Sequence, residues 1–222
     1  MTILVEARHF IRPITRAAFN AYVDFFGNDV IPAMQRNGFD LVGAWQRSGG
    51  EMGQDLALYR FDSLADYERA QVSLAADTTL GPIIGRLLES VEMAETTKIG
   101  SPLGEAAVQG LERALANPPA ASRQYEQVVT KLIFSGQMQG LELLEELAAF
   151  AAKQQLGSVV ASYQTITGPG PEATQIWLLP ETATPLVYTR DDPLARFVEP
   201  LRTVAPLEER YWLSPLPYSP LQ

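Results

Sequence analysis

Cysteine is absent from the chain, and histidine occurs once, as His9. Without cysteine there are no disulfides, thiolate nucleophiles, iron–sulfur clusters or Cys-type zinc sites. With a single imidazole, a transition-metal site would have to be carboxylate-rich, and no acidic cluster has ligand spacing, so no metal is expected. Basic residues are also sparse. Lys and Arg total 17 against 26 Asp and Glu, giving a formal net charge of −9, and no Lys/Arg run occurs. Such a chain repels nucleic-acid phosphates and anionic membranes. No stretch approaches the roughly 18 apolar residues of a membrane span. Met1-Thr2-Ile3-Leu4-Val5-Glu6 lacks the basic start and apolar core of a signal peptide. There is no Gly-rich phosphate loop, no GxSxG and no HExxH. The expectation is a cytoplasmic protein with no cofactor and neither a nucleic-acid nor a membrane partner.

What remains is an ordinary globular balance, 46% hydrophobic and 19% charged over 222 residues. Ile3 to Ile11 is rich in β-formers and stops at Arg12-Pro13, which predicts a strand. From Thr15 to Asn37 the period becomes helical, with Phe19, Tyr22, Val23, Phe26, Val30 and Met34 on one stripe, Thr15 as N-cap and Gly38 as stop. Strands are predicted at Phe39–Arg47 and Asp55–Phe61, joined by a turn at Ser48-Gly49-Gly50. A helix begins at Ser63, breaks at Asp77-Thr78-Thr79 and resumes from Leu80 to Glu89, before a strand at Val91–Ile99. The order is βαββαβ, the ferredoxin-like arrangement.

Glu105–Ala116 reads as a helix, and Asn117-Pro118-Pro119-Ala120-Ala121-Ser122 as a linker. The order then recurs. Strands are predicted at Tyr125–Phe134, Ser158–Thr167, Thr174–Leu179 and Glu208–Leu213, with helices at Gln137–Leu156 and Pro193–Val204. Gly168-Pro169-Gly170-Pro171 is a turn, and Glu181–Asp192 a longer Pro-containing link. Letters repeat too: Gly43-Ala44-Trp45-Gln46 matches Ala161-Ser162-Tyr163-Gln164. Glu95 precedes Ser101-Pro102-Leu103 by the same six residues that separate Glu208 from Ser214-Pro215-Leu216. The reading is a tandem duplication with domains at 1–103 and 125–222 and a linker at 104–124.

Val5-Glu6-Ala7-Arg8-His9-Phe10, Leu41-Val42-Gly43-Ala44-Trp45, Leu58-Tyr59-Arg60-Phe61-Asp62, Leu74-Ala75-Ala76-Asp77 and the closing Pro215-Leu216-Pro217-Tyr218-Ser219-Pro220-Leu221-Gln222 resemble the NIPSNAP family of the dimeric α/β-barrel superfamily. The resemblance implies an α+β fold in which two ferredoxin-like βαββαβ domains close into one intramolecular, pseudo-dimeric barrel. It also implies an Asn and a His on the third strand pointing into the barrel, where this chain has Gly53 and Ala57, while the aromatic pair is kept as Tyr59 and Phe61.

Strand alternation then assigns faces. Leu56, Leu58, Val5, Ala7, Val42 and Ala44 suit the helix side. That sends Glu6, Arg8 and Phe10, Gly43, Trp45 and Arg47, and Asp55, Ala57, Tyr59 and Phe61 into the barrel. Such a cavity suits a hydrophobic or aromatic small molecule. Glu6 or Asp55 would act as general base and Arg8 would stabilise an enolate or carboxylate, with Phe10, Trp45, Arg47, Tyr59 and Phe61 binding the ligand. A structural ion pair with a neighbouring strand is the simpler account of Glu6 and Arg8, and core filling that of Trp45 and Tyr59. His9 faces the helices, where a structural role is the simpler reading; as a haem ligand, a use found among distant relatives of the fold, it would have to turn inward. The second copy offers Tyr163, Trp177 and Tyr211, with Glu208 and Arg210 as its inward charges. Two functions are expected to compete: a cofactor-independent enzyme working by proton transfer or oxygenation, and a non-catalytic binding or interaction scaffold. The chain would be a monomer or a homodimer.

Overall fold

A computed structural model describes residues 1–49, 53–89, 91–118, 123–168, 170–180 and 194–222. Eight antiparallel strands close a barrel: β1 (Ile3–Arg12), β2 (Asp40–Ser48), β3 (Gln54–Phe61), β4 (Glu92–Pro102), β5 (Tyr125–Lys131), β6 (Ser158–Thr167), β7 (Glu172–Leu178) and β8 (Leu207–Pro215). Their order around the barrel is β1-β3-β2-β8-β5-β7-β6-β4, with β4 returning to β1. The first four strands and the last four each form one curved sheet, and the two meet at the β2–β8 and β4–β6 seams. Closure leaves no free sheet edge among the described residues.

Helices cover the outside. Thr15 caps α1 (Arg16–Phe25) by accepting from the Ala18 N–H. The expected single helix runs on, but through a π-helical turn at Phe26–Val30 before α2 (Ile31–Arg36). Ser63 caps α3 (Leu64–Ala76), and α4 (Leu80–Leu88) follows. The second half carries α6 (Gln137–Lys153) and α7 (Ala195–Val204). Between the halves, α5 (Gly104–Ala116) does more than link: its Leu111, with Ala114 and Leu115 beside it, packs into the cluster that fills the barrel. The predicted strand to Phe134 ends instead at Lys131, and Phe134–Gly136 is a 3₁₀ turn. Gly50, Pro119–Ser122, Pro169 and 181–193, which carry parts of the predicted turns, linker and last helix, lie outside the described residues.

The pairing register shows which face each residue takes, because directly opposed residues share a face. Glu6 opposes Leu58 and Lys98; Ala7 opposes Ala57 and Thr97. Glu6, Arg8, Trp45 and Arg47 therefore point into the barrel, as expected. On β3 the expectation is reversed. Leu56 and Leu58 lie in the barrel, while Asp55, Ala57, Tyr59 and Phe61 face the helices. The reason is physical: β3 is buried on both faces, so apolar character cannot tell one from the other. Val42 also packs in the barrel, because a bulge between Leu41 and Gly43 breaks the alternation of β2. On β8 it is Tyr211 that opposes Gln127 inside, while Glu208 and Arg210 turn outward and sit beside Glu126 below α6.

The expected barrel cavity is occupied. Trp45, Tyr125 and Tyr163 are fully buried across it, with Leu56, Leu58, Ile176 and Leu213 around them. Below the aromatics lies a buried polar network. Lys98 Nζ contacts Glu172 Oε1 at 2.7 Å, Thr174 Oγ1 at 2.9 Å and Glu6 Oε2 at 3.3 Å. Glu6 also accepts from Tyr163 and from Gln127 Nε2 (3.0 Å), and meets Arg8 Nε at 3.4 Å. Lys131 closes on Glu172 from the other side. These residues come from both halves, so the network ties one sheet to the other.

Candidate functional site

A cavity of about 220 Å³ lies on the other side of the first sheet, between its outer face and the π-helical turn, α2, α3 and α4. Its apolar wall includes Phe26 and Val30 of the π-helical turn, Met34, Phe39 and Leu74. π-helical turns recur at functional sites because they displace side chains from the regular helical stripe. Its polar wall includes His9, Glu95, Gln71, Thr97 and Tyr59, whose hydroxyl donates to Met34 Sδ at 3.4 Å.

His9 is held from both sides by its cross-strand neighbours. It directly opposes Asp55 on β3 and Glu95 on β4. The Asp55 carboxylate accepts from the His9 backbone N–H at 3.2 Å and from Nδ1–H at 2.8 Å. Its second oxygen accepts from the Tyr22 hydroxyl, which also lies 3.0 Å from His9 Nδ1. Nε2–H donates to Glu95 Oε2 at 3.2 Å. His9 is 2% exposed and Asp55 fully buried, whereas the Glu95 side chain is 49% exposed and sits at the rim.

These contacts set the charges. Burial by itself lowers the His9 pKa, but the Asp55 charge and hydrogen bond, followed by those of Glu95, raise it to about 10. His9 is therefore an imidazolium at neutral pH, with both N–H groups donating. Burial, then the Asp55 charge, pushes the Tyr22 phenol well above its ordinary range. Burial does the same for Tyr59, and both stay protonated. The His9 hydrogen bond holds the Glu95 carboxyl below its usual range, against the smaller, opposite effect of burial. The Tyr218 ring, from the segment after β8, closes over this cluster against Phe26. It can do so because position 27 is glycine: a Cβ there would meet Tyr218 Cδ1 at 2.7 Å.

Of the residues singled out from the sequence, Asp55 and Tyr59 belong to this cluster, and Phe61 packs on the same face beside Phe39. Glu6, Arg8, Phe10, Trp45 and Arg47 do not; they belong to the barrel face. Glu6 is saturated by Arg8, Lys98, Gln127 and Tyr163, a state that suits a structural anion better than a base. Tyr22 and Glu95 were not singled out. Glu95 reaches the lone histidine through the β1–β4 register, and Tyr22 through the packing of α1 on the sheet, both long-range facts. The residues also fail to fit haem. Both His9 ring nitrogens are taken by carboxylates, an imidazolium has no lone pair for iron, and the cavity is far smaller than the macrocycle. Among the described residues, no group of His, Asp and Glu is placed to hold a metal ion.

The counterpart space in the second half, between β5, β7 and β8 and α6, has shrunk to about 30 Å³, with Trp177, Leu147 and Leu156 in its wall. The two halves are thus unequal at this place: the first keeps a cavity with an ionised cluster, the second about 30 Å³.

The fold has solved counterparts. An anthrone oxidase-like protein shares 11% identity at TM-score 0.56, covering 96% of this chain and 91% of that chain. A monooxygenase-like protein from Lactobacillus acidophilus NCFM shares 10% at TM-score 0.57, covering 96% and 93%. A mutant chlorite dismutase from Candidatus Nitrospira defluvii, complexed with cyanide, shares 13% at TM-score 0.53, covering 97% and 91%. At such identities the likeness shows the architecture alone. Among curated proteins, none matches. Residues 8–83, from within β1 into α4, match the NIPSNAP family, and the chain that carries this stretch has the dimeric α/β-barrel fold folded from a single polypeptide.

Proposed function

We propose that the chain is a small-molecule enzyme that moves a proton on a neutral, hydrophobic, aromatic carbon acid bound in the cavity beside His9. The observation that carries this is the pairing of an imidazolium, charged at neutral pH, with a half-exposed carboxylate at the wall of a largely apolar cavity. An apolar cavity of about 150 Å³ holds benzene, so about 220 Å³ suits a substituted or fused ring. A ligand anion would face Glu95 with Asp55 behind it, which favours a neutral molecule.

When the substrate's carbonyl oxygen takes the His9 Nε2–H, Glu95 loses the hydrogen bond that most depresses its pKa, and burial then works against the lesser pull of the His9 charge and the Thr97 hydrogen bond. Glu95 then accepts the proton from the carbon next to the carbonyl. The C–H electron pair becomes the enolate, whose oxygen the imidazolium stabilises. Return of the proton to a different atom completes a tautomerisation. Where dioxygen is supplied instead, the enolate carbon gives its electron pair to O2, a C–O bond forms, and the proton on Glu95 passes to the outer oxygen to leave a hydroperoxide; the L. acidophilus and anthrone oxidase-like proteins share this fold.

The test is deuterium exchange at the acidic carbon of neutral aryl ketones and 1,3-dicarbonyls, anthrone included, followed by NMR under nitrogen and with oxygen uptake under air. Exchange should fall by roughly 10²–10⁴-fold in Glu95→Gln. No exchange by the wild type, or an equal rate in the variant, would overturn the reading. A second reading rests on the filled barrel: the chain holds its ligand without turning it over. Stabilisation by these compounds without any exchange would select it.

A further inference from the structure

A different cleft opens elsewhere on the molecule. It has a volume of about 630 Å³ and lies between the start of α1 and the β2–β3 hairpin, at the end of the barrel where Arg47 sits. Ile11, Ile14 and Phe19 supply an apolar wall, and Thr15, Arg16 and Arg47 the polar one. Among the described residues no acidic one lines it, in a chain with 26 Asp and Glu.

Arg47 is the unusual member. It is 6% exposed, yet its hydrogen bonds go to neutral groups, the side-chain carbonyls of Gln127 (3.1 Å) and Gln54 (2.6 Å). Its guanidinium lies 3.3 Å above the centre of the Tyr211 ring. Among the described residues no carboxylate stands within ion-pair distance of it. The nearby Glu6 is already engaged by Lys98 and Arg8. Buried cations are ordinarily paired, because an isolated charge in a low-dielectric site is costly. Burial does lower the Arg47 pKa, yet a guanidinium has too much margin to give up its proton near neutrality. The start of α1 adds a second positive feature, the amino end of a ten-residue helix with no acid in its first turn. Arg16 adds a third.

We infer that this cleft is a binding site for an organic carboxylate with an aryl or short acyl body. The carboxylate supplies the counter-charge that Arg47 lacks, and Ile11, Ile14 and Phe19 take the apolar part. The site is separate from the cavity at His9, whose charges favour a neutral ligand. The volume is within the range of small-molecule sites, roughly 300–1,000 Å³.

The experiment is calorimetric titration and thermal unfolding of the full chain with benzoate and hexanoate, each against its neutral amide. The carboxylates should bind and raise Tm, while benzamide and hexanamide should not. Binding should weaken with added salt. Arg47→Gln should cost roughly tenfold or more in affinity, as expected for loss of a charge-assisted hydrogen bond. Should that variant fail to fold, the exposed Arg16→Gln decides, with a smaller loss of the same sign expected. Equal responses to acid and amide, or an unchanged affinity in Arg16→Gln, would overturn the inference. So would benzoate that perturbs the His9 NMR signals and leaves those of Arg16 and Phe19 unmoved.

Discussion

Removing the charge of the only histidine is the most direct test of the cluster, and its magnitude follows from the geometry. The His9 pKa rises from 6.5 to about 10, so folding binds the imidazole proton more tightly by about 3.5 pH units, or roughly 5 kcal/mol at about 1.4 kcal/mol per unit. The sign is fixed by linkage. A pKa raised in the folded state stabilises fully below the unfolded value of 6.5, and the contribution fades as pH climbs to about 10. Glu95 acts at the other end of the scale. Its depressed pKa gives stability above the unfolded value of 4.5, lost as the pH falls through the folded one. Since His9 and Glu95 share one hydrogen bond, the two contributions are not added. A single histidine also makes the assay clean, because the imidazole Cε1–H resonance needs no assignment. Its shift should stay flat from pH 5 to 8 and move only near 10. In urea unfolding, the stability gap between wild type and His9→Gln should be largest near pH 6 and shrink by several kcal/mol towards pH 10. A His9 midpoint at or below 6.5, or a gap independent of pH, would refute the argument, since either result means that Asp55 and Glu95 do not hold the proton.

Other substitutions probe the surroundings. Lys98→Met strips the cation from between Glu6 and Glu172, and urea unfolding should register a loss of roughly 3–5 kcal/mol. Leu111→Ala should cost about 2–5 kcal/mol by the same measurement if α5 stoppers the barrel; under about 1 kcal/mol would make α5 a mere connector. Gly27→Ala places a methyl against the Tyr218 ring and should cost about 1–3 kcal/mol, with altered Tyr218 NMR signals as the marker of its displacement.

Much of the fold is legible in the sequence because strand and helix periods are local. The caps at Thr15 and Ser63, the hairpin of β2 and β3, and the recurring βαββαβ order all follow from short-range chemistry. The site is less legible, for a reason visible in β3. An alternating strand reports which residues are buried only when its other face meets water. Here one face meets the helices and the other the filled barrel, so Asp55-Leu56-Ala57-Leu58-Tyr59 carries no mark of direction. On β1 the direction was readable, since Glu6 and Arg8 contrast with Val5 and Ala7. Direct pairing then transmits the answer: once Ala7 opposes Ala57, Asp55 must share a face with His9. The correction is therefore contained in the register, a long-range fact joining residues 46 positions apart.

The filled barrel and the open outer cavity are two consequences of closing the barrel within one chain. Closure brings Trp45 against Tyr125 and Glu6 against Gln127 and Tyr163, so the interior is consumed in joining the halves. The space between a sheet and its own helices lies outside that joint, and there the halves are free to differ. The first half spends its outer face on His9, Asp55 and Glu95, beside a helix distorted by a π-helical turn; the second fills the same place with Trp177 and leucines. A chain with one such site still needs its other half, because the second half closes the barrel behind β1 and β3, the strands that hold His9 and Asp55. The segment that places Tyr218 over the first-half cluster likewise emerges from β8 and is pinned to β2 through Leu216 N–H to Ala44 O and Ala44 N–H to Ser219 Oγ, both 2.9 Å. Truncating the chain before Tyr218 should therefore perturb the His9 resonance although no residue of the first half has changed.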